Sequence, residues 1–360
     1  MVEWKKLGEI ANLVRGKVIS KDYIRDNNGV YPVYSSQTAN DGILGCIDSY
    51  MFDGVFLTWT TDGAYAGTIF RRKGKFNITN VCGLIDISDK RVIQDFLYYW
   101  LSITAKNYVL EGMGNPKLMS NVASNIQIPI PSLAEQERIV GMLDTFTQSI
   151  DNLKEQIGQR RKQYEHYRDQ LLDLEGKPGV EMKTLGEIAS FRKGRINATE
   201  LTPSTYVSVE NLLKDKGGKI DSENIPVQGH WPIYQVKDIL LGNIRPYLRK
   251  IWFADNCGGT NGDVVVLKVD TNDMPTYIFK VLSSESFFNY YNQTAKGGKM
   301  PRGEKKKILE YPIPIPPLSE QQRIVSILDT FEASIGNLEA QLAERQKQYE
   351  YYRNKLLSFE

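Results

Sequence analysis

Polar and aromatic side chains crowd four loop-like stretches of this 360-residue chain. Two lie in the N-terminal part, Tyr34-Ser35-Ser36-Gln37-Thr38-Ala39-Asn40-Asp41 and Trp59-Thr60-Thr61-Asp62-Gly63. Two lie further on, Gly242-Asn243-Ile244-Arg245-Pro246-Tyr247 and Gly258-Gly259-Thr260-Asn261-Gly262-Asp263. Gln, Asn and Arg can form paired hydrogen bonds with base edges, while Ser and Thr hydroxyls and backbone amides hold phosphates. Cations cluster at Arg71-Arg72-Lys73 with Lys75, at Lys214, Lys216 and Lys219, at Arg245, Arg249 and Lys250, and from Lys296 through Lys299 and Arg302 to Lys305-Lys306-Lys307. The contact candidates are therefore Ser36, Gln37, Asn40, Trp59, Thr60, Thr61, Arg71 and Lys73 in the first set. In the second set they are Asn243, Arg245, Tyr247, Lys250, Thr260, Asn261 and Lys299. With a net charge of only +2, such a surface has to gather its cations on one face. Taken singly, a Gly/Asn/Ser-rich loop is more often a plain turn, and a basic run a solvated surface.

Catalytic chemistry has little to work with. The two histidines, His166 and His230, have no evident nucleophile or acid partner. Three scattered cysteines (Cys46, Cys82, Cys257) offer neither a disulfide framework nor a metal pair. Gly297-Gly298-Lys299 does not fit a phosphate loop, and Asn115-Pro116-Lys117-Leu118 does not substitute for the Asn/Asp-Pro-Pro-aromatic tetrapeptide of an amino-methyltransferase. No metal site or cofactor of its own is expected. An enzyme is motivated only by polar groups such as Thr60-Thr61-Asp62. The start, Met1-Val2-Glu3-Trp4-Lys5-Lys6, lacks an apolar signal stretch, and no window approaches the ~20 apolar residues of a membrane span. A cytoplasmic location is expected.

The elements that must position these loops come in duplicate. Residues 128–175 align without a gap to residues 313–360 at an offset of 185 positions, and roughly three-fifths are identical. Glu3-Trp4-Lys5-Lys6-Leu7-Gly8-Glu9-Ile10-Ala11 likewise echoes Glu181-Met182-Lys183-Thr184-Leu185-Gly186-Glu187-Ile188-Ala189, and between these matched ends the halves diverge. Each repeated segment carries apolar residues in a 3-4 rhythm (Ile139, Leu143, Phe146, Ile150, Leu153, Ile157 in the first), which predicts a coiled-coil helix of about 60 Å. Arg160 and Arg345 fall on the seam at equivalent places, either snorkelling past a partner helix or serving as a device that fixes register or accepts a carboxylate from elsewhere. Ser132 with Glu135, and Ser319 with Gln322, fit helix-capping boxes behind proline-rich entries. The short linker at 176–179 forces the second helix to run back along the first, so the pair should be antiparallel. Apolar content of 41% supports ordinary cores, and the inserts read as mixed domains with helices over 92–105 and 276–291. The expected fold is α+β: two mixed α/β recognition domains (1–131 and 176–316) separated by long antiparallel coiled-coil helices (132–175 and 317–360), with a pseudo-two-fold internal repeat.

Two unlike domains, each followed by a Pro-Leu-x-Glu-Gln-x-x-Ile helix, resemble the DNA-specificity subunit of Type I restriction–modification systems. The motif stands as Leu133, Glu135-Gln136 and Arg138-Ile139, and again as Leu318, Glu320-Gln321 and Arg323-Ile324. Tyr31-Pro32-Val33-Tyr34-Ser35-Ser36 and Asp238-Ile239-Leu240-Leu241-Gly242-Asn243-Ile244-Arg245-Pro246-Tyr247 are also similar to that family, so the resemblance spans essentially the whole chain. It implies a non-catalytic subunit whose domains each read one half of a bipartite, asymmetric site in double-stranded DNA, with the helix pair as a ruler. It implies docking of two methyltransferase subunits at Glu135, Gln136, Arg138, Glu320, Gln321 and Arg323, and two restriction/translocase subunits beyond them. S-adenosylmethionine and ATP would belong to those partners. The competing reading is a stand-alone coiled-coil scaffold for protein recognition.

Overall fold

A computed structural model describes residues 2–111, 114–270 and 274–359. Two compact units emerge, one formed by residues 2–152 and 342–359, the other by 153–341. Each unit holds one mixed domain and a stretch of both long helices, Leu133–Leu172 and Leu318–Leu356.

In the first unit a two-stranded clasp opens the domain: β1 (Glu3–Lys6) pairs antiparallel with the strand Gln127–Ile130 that feeds the first long helix. Prolines are tolerated there because a clasp strand needs hydrogen bonds on one edge only. The main sheet comprises β2 (Ala11–Arg15), β3 (Asn28–Tyr34), β4 (Ile43–Ile47), β5 (Phe52–Thr60), β6 (Ile69–Ile78) and β7 (Cys82–Ile87), in the order β2-β7-β5-β6-β3-β4. All neighbours are antiparallel except β3 and β6. Trp59 lies flat over Gly83 on the neighbouring strand, where a Cβ would stand 2.2 Å from the indole. The helix Gln94–Thr104 buries Phe96, Leu97, Tyr99, Trp100 and Leu101 against the sheet. Ile139 and Leu143 of the first long helix, and Leu357 just past the end of the second, join the same core.

The second unit repeats the clasp, with Glu181–Thr184 against Pro312–Ile315. Its sheets differ: four strands in the order Ala189–Phe191, Val264–Val269, Ile239–Gly242, Ile251–Phe253, and a second four-stranded sheet beside them. The helix expected over 276–291 is two helices, Pro275–Leu282 and Glu285–Gln293. Ser284 breaks it, because its hydroxyl accepts from Phe287 N and caps the second piece. Ile324, Val325 and Leu328 enter this core at positions matching those used in the first unit.

Within each unit the two long helices run antiparallel. Phe146 stacks on Tyr352 in the first (5.3 Å between ring centroids), and Tyr167 stacks on Phe331 in the second (5.4 Å). These pairs are the same two repeat positions with their owners exchanged. The seam arginines stack on aromatic rings: Arg345 lies 5.8 Å from the Phe146 centroid, and Arg160 5.9 Å from that of Phe331. That favours the snorkelling alternative over carboxylate capture. Ser132 caps its helix, its hydroxyl accepting from Glu135 N (3.3 Å). Ser319 does not cap. The second long helix already begins at Leu318, and Glu320 N bonds the Pro317 carbonyl instead. Glu360 lies outside the described residues, while its neighbour Phe359 packs on Phe96 and Trp100 in the first unit. Among the described residues, no helix is long and apolar enough to cross a membrane.

Candidate nucleic-acid interface

The recurrent motif residues divide into a buried half and an exposed half. Gln136 is fully buried: its amide nitrogen donates to the carbonyls of Arg91 (2.7 Å) and Pro131 (2.9 Å), and its oxygen accepts from Ile93 N (2.8 Å). Ile93 is the N-cap residue of the Gln94–Thr104 helix, so the glutamine satisfies a backbone donor that would otherwise be orphaned. Gln321 does the same in the second unit, bonding Pro316 O (3.0 Å) and Met274 N (3.3 Å), the N-cap residue of Pro275–Leu282. Both glutamines are thus consumed inside the chain, which removes them from the expected partner-docking set. Glu135 with Arg138, and Glu320 with Arg323, instead form surface ion pairs of 2.6 and 2.7 Å. Hydrogen bonding from those arginines lowers both carboxyl pKa values.

A second fastening, unnoticed in the sequence, joins each domain to its long helices through one repeat position. In the first unit Asp144 accepts from Tyr99 Oη (2.5 Å) and pairs with Arg71 (3.3 Å), which also approaches Asp95 at 2.7 Å. Arg71 lies over the rings of Tyr98 and Tyr99. Burial first, then the bond to Asp144, raises the Tyr99 pKa. In the second unit the equivalent Asp329 meets the buried ammonium of Lys280 (2.9 Å), which also pairs with Glu332 (2.7 Å). Arg168, fully buried, adds a bond to the Ser283 carbonyl (3.2 Å). The only sequence signal for these residues is charge at a helix position flanking the apolar seam.

Several expected contact residues lie inside the domains. Trp59 is 1% exposed and donates Nε1 to Leu118 O (2.9 Å). Thr60, Thr61 and Thr260 are wholly buried, with Thr260 Oγ1 donating to Val207 O (2.6 Å). Asn243 is buried and accepts from Tyr291 Oη (2.9 Å). Arg71 is committed to the fastening just described. The five buried residues cannot face a duplex without opening their domains, while the partly exposed Arg71 is held by its ion pairs. Part of the basic run is also paired: Lys296 with Glu304, Arg302 with Asp263 and Lys307 with Glu310.

Other candidates stay at the surface. Ser36, Gln37 and Asn40 share the loop after β3, where Gln37 donates to the Ile43 carbonyl and Asn40 sits at φ 50°. That loop is tied to the sheet by buried Arg72, which pairs with Asp41 (2.7 Å), bonds Thr58 (3.2 Å) and stacks on Tyr34 (3.6 Å). Lys73, Tyr247 and Lys299 are exposed. Near the first loop cluster, Arg15 and Lys117 flank Asp62 at 3.9 and 3.8 Å, two cations the sequence reading missed.

In the second unit, Arg245, Lys250 and Asn261 come together in a cleft of about 710 Å³. Arg245 holds a left-handed backbone (φ 52°), fixed by its N–H bond to Pro301 O (2.8 Å) and by Pro246 after it. Lys250 donates to Val209 O (2.6 Å), and burial, then Lys214, lowers its pKa. The arm carrying Arg245 is anchored from behind by Gly303, whose N–H donates to Asn243 O (3.1 Å) beneath the Tyr291 ring. A Cβ on Gly303 would stand 2.0 Å from that ring.

Comparison with known proteins agrees with this architecture. The family model described as Type I restriction modification DNA specificity domain matches residues 1–160 and 178–345. A Mycoplasma pneumoniae protein named as a type I specificity subunit is 28% identical over 98% of this chain and 97% of its own length. A type I restriction enzyme specificity subunit of Escherichia coli is 27% identical over 99% of this chain and 94% of its own. The crystal structure of a type I restriction–modification S subunit from M. genitalium superposes with a TM-score of 0.63, covering 100% of this chain and 97% of that one at 16% identity.

Proposed function

The chain belongs to the Type I restriction–modification DNA specificity family, and on that premise we propose that its two domains read the two halves of one bipartite, asymmetric DNA site. Membership itself gives the coarser function: sequence-specific DNA recognition as the non-catalytic member of a restriction–modification system. The observation that carries the finer reading is the double fastening. One repeated helix position and one repeated glutamine hold two domains whose sheets differ, so unlike readers sit on a like frame. Unlike readers imply unlike half-sites.

On this proposal the long helices, of 40 and 39 residues, set the spacing between half-sites. The exposed Glu135–Arg138 and Glu320–Arg323 pairs are offered to two methyltransferase subunits, and two restriction/translocase subunits complete the nuclease. DNA and these subunits are the partners, the location is the cytoplasm, and the domain limits are 1–131 and 176–316. Remaining contact candidates are Ser36, Gln37, Asn40, Lys73, Arg245, Tyr247, Lys250, Asn261 and Lys299. Methylome sequencing of cells with and without the gene tests the proposal. A split adenine-methylation motif that depends on the gene is expected, and its absence sinks the reading. Stable solitary behaviour with no DNA preference would favour the scaffold alternative instead.

A further inference from the structure

Several cations around the second-unit cleft are committed within the chain. Arg249 pairs with Glu285 (2.7 Å), Arg302 with Asp263 (3.0 Å), Lys219 with Asp221 (3.2 Å), and Lys250 bonds the Val209 carbonyl. Arg245 lines the same cleft, and its guanidinium has no hydrogen bond, ion pair or ring contact among the described residues. Its Nε is buried without an acceptor. A buried donor left unpaired is unfavourable, so the arrangement calls for an acceptor from outside. The backbone is already committed to presenting it, through a strained left-handed conformation locked by Pro301 and Pro246.

The surroundings select the acceptor. Glu210 and Glu223 also line the cleft, alongside the paired Asp221 and Asp263. Asp221 and Asp263 are answered by Lys219 and Arg302, but Glu210 and Glu223 have no ion partner among the described residues, and their charge repels a phosphate. A neutral base edge suffers no such repulsion. Guanine presents O6 and N7 at the spacing of an arginine fork, and its paired cytosine presents an amino group that a Glu or Asp accepts. We infer that Arg245 reads a guanine in the major groove, so that the half-site taken by the second domain contains a G·C pair, with a cleft carboxylate facing the cytosine. The inference rests on the DNA-recognition reading and adds the identity of one base pair to it.

The test uses the full chain with its methyltransferase partner. The unmodified chain first gives the split motif, and its failure to do so would bring down the underlying reading before any substitution is made. With the motif known, Arg245→Gln should lower the preference for guanine at one position of the second half roughly 5- to 150-fold, leaving the first half unchanged. Duplexes carrying 7-deazaguanine, one guanine at a time, should bind the unmodified chain at least about fivefold more weakly at that same position. This second arm decides the matter if the variant does not fold. The inference is overturned if the second half lacks a G·C pair or if no 7-deazaguanine weakens binding. It is also overturned if Arg245→Gln weakens all sequences alike with a shallower salt dependence, which marks a phosphate contact.

Discussion

The first and second units solve one attachment problem with different chemistry. Asp144 and Asp329 occupy the same repeat position, yet Asp144 meets a phenol and a partly exposed guanidinium, whereas Asp329 meets a buried ammonium. Next along the helix face, Thr147 bonds Tyr99 in the first unit (3.3 Å), where the second has Glu332 on Lys280. The helices hold the constant side of each fastening and the domains supply the variable side. A domain can therefore diverge, sheet order included, provided it keeps one donor over that aspartate and one open helix N-terminus for the glutamine. That is the physical condition for exchanging readers without rebuilding the frame.

The largest expected effect follows directly. Replacing residues 1–131 by the corresponding domain of another family member should change one whole half of the methylation motif and leave the other intact. A change in both halves would break the comparison. Next comes the asymmetry of the fastenings. The double change Asp329→Ala with Glu332→Ala strands a buried ammonium and should cost about 2–4 kcal/mol in urea denaturation, since Lys280 is only 4% exposed. Asp144→Asn leaves Arg71 with Asp95 and with solvent and should cost under about 1 kcal/mol. Equal losses would show that burial of the partner does not matter.

The smallest difference is between the glutamines. Gln136→Ala removes partners from two carbonyls and one N–H, and should lower stability by about 2–3 kcal/mol. Gln321→Ala, with a longer bond to Met274 and, among the described residues, one bonded carbonyl, should cost about 1–2 kcal/mol. Thermal unfolding of the two variants checks the order, and a reversed order removes the capping account.

The helices were the most legible part of the chain, because heptad spacing records burial directly and survives whatever the domains do. The helix over 276–291 failed at Ser284, whose capping role depends on the local backbone turn rather than on the apolar pattern it interrupts. The strand-end residues Trp59, Thr60 and Thr61 looked like a polar loop. Their hydroxyls and indole in fact serve bonds to Leu118, Tyr65 and Asp62 within the chain. Composition cannot separate a hydroxyl that faces solvent from one that satisfies a buried carbonyl. Gln136 shows the same blindness: its repetition signalled importance, and only its surroundings reveal that the importance is internal. Arg245 was legible by type, but its lack of a partner among the described residues was not, since pairing is a property of neighbours distant in the chain.

Gly303 has the last word on how such a reader can drift. It supports the arginine's arm from the rear, under Tyr291 and bonded to Asn243, and has no room for even one added carbon. Any side chain there must push the ring or the arm, and so shift the Arg245 fork. On the inference drawn for Arg245, inheritance can thus retune the recognised letter through a hidden fulcrum, leaving every residue proposed to touch the helix groove as it was.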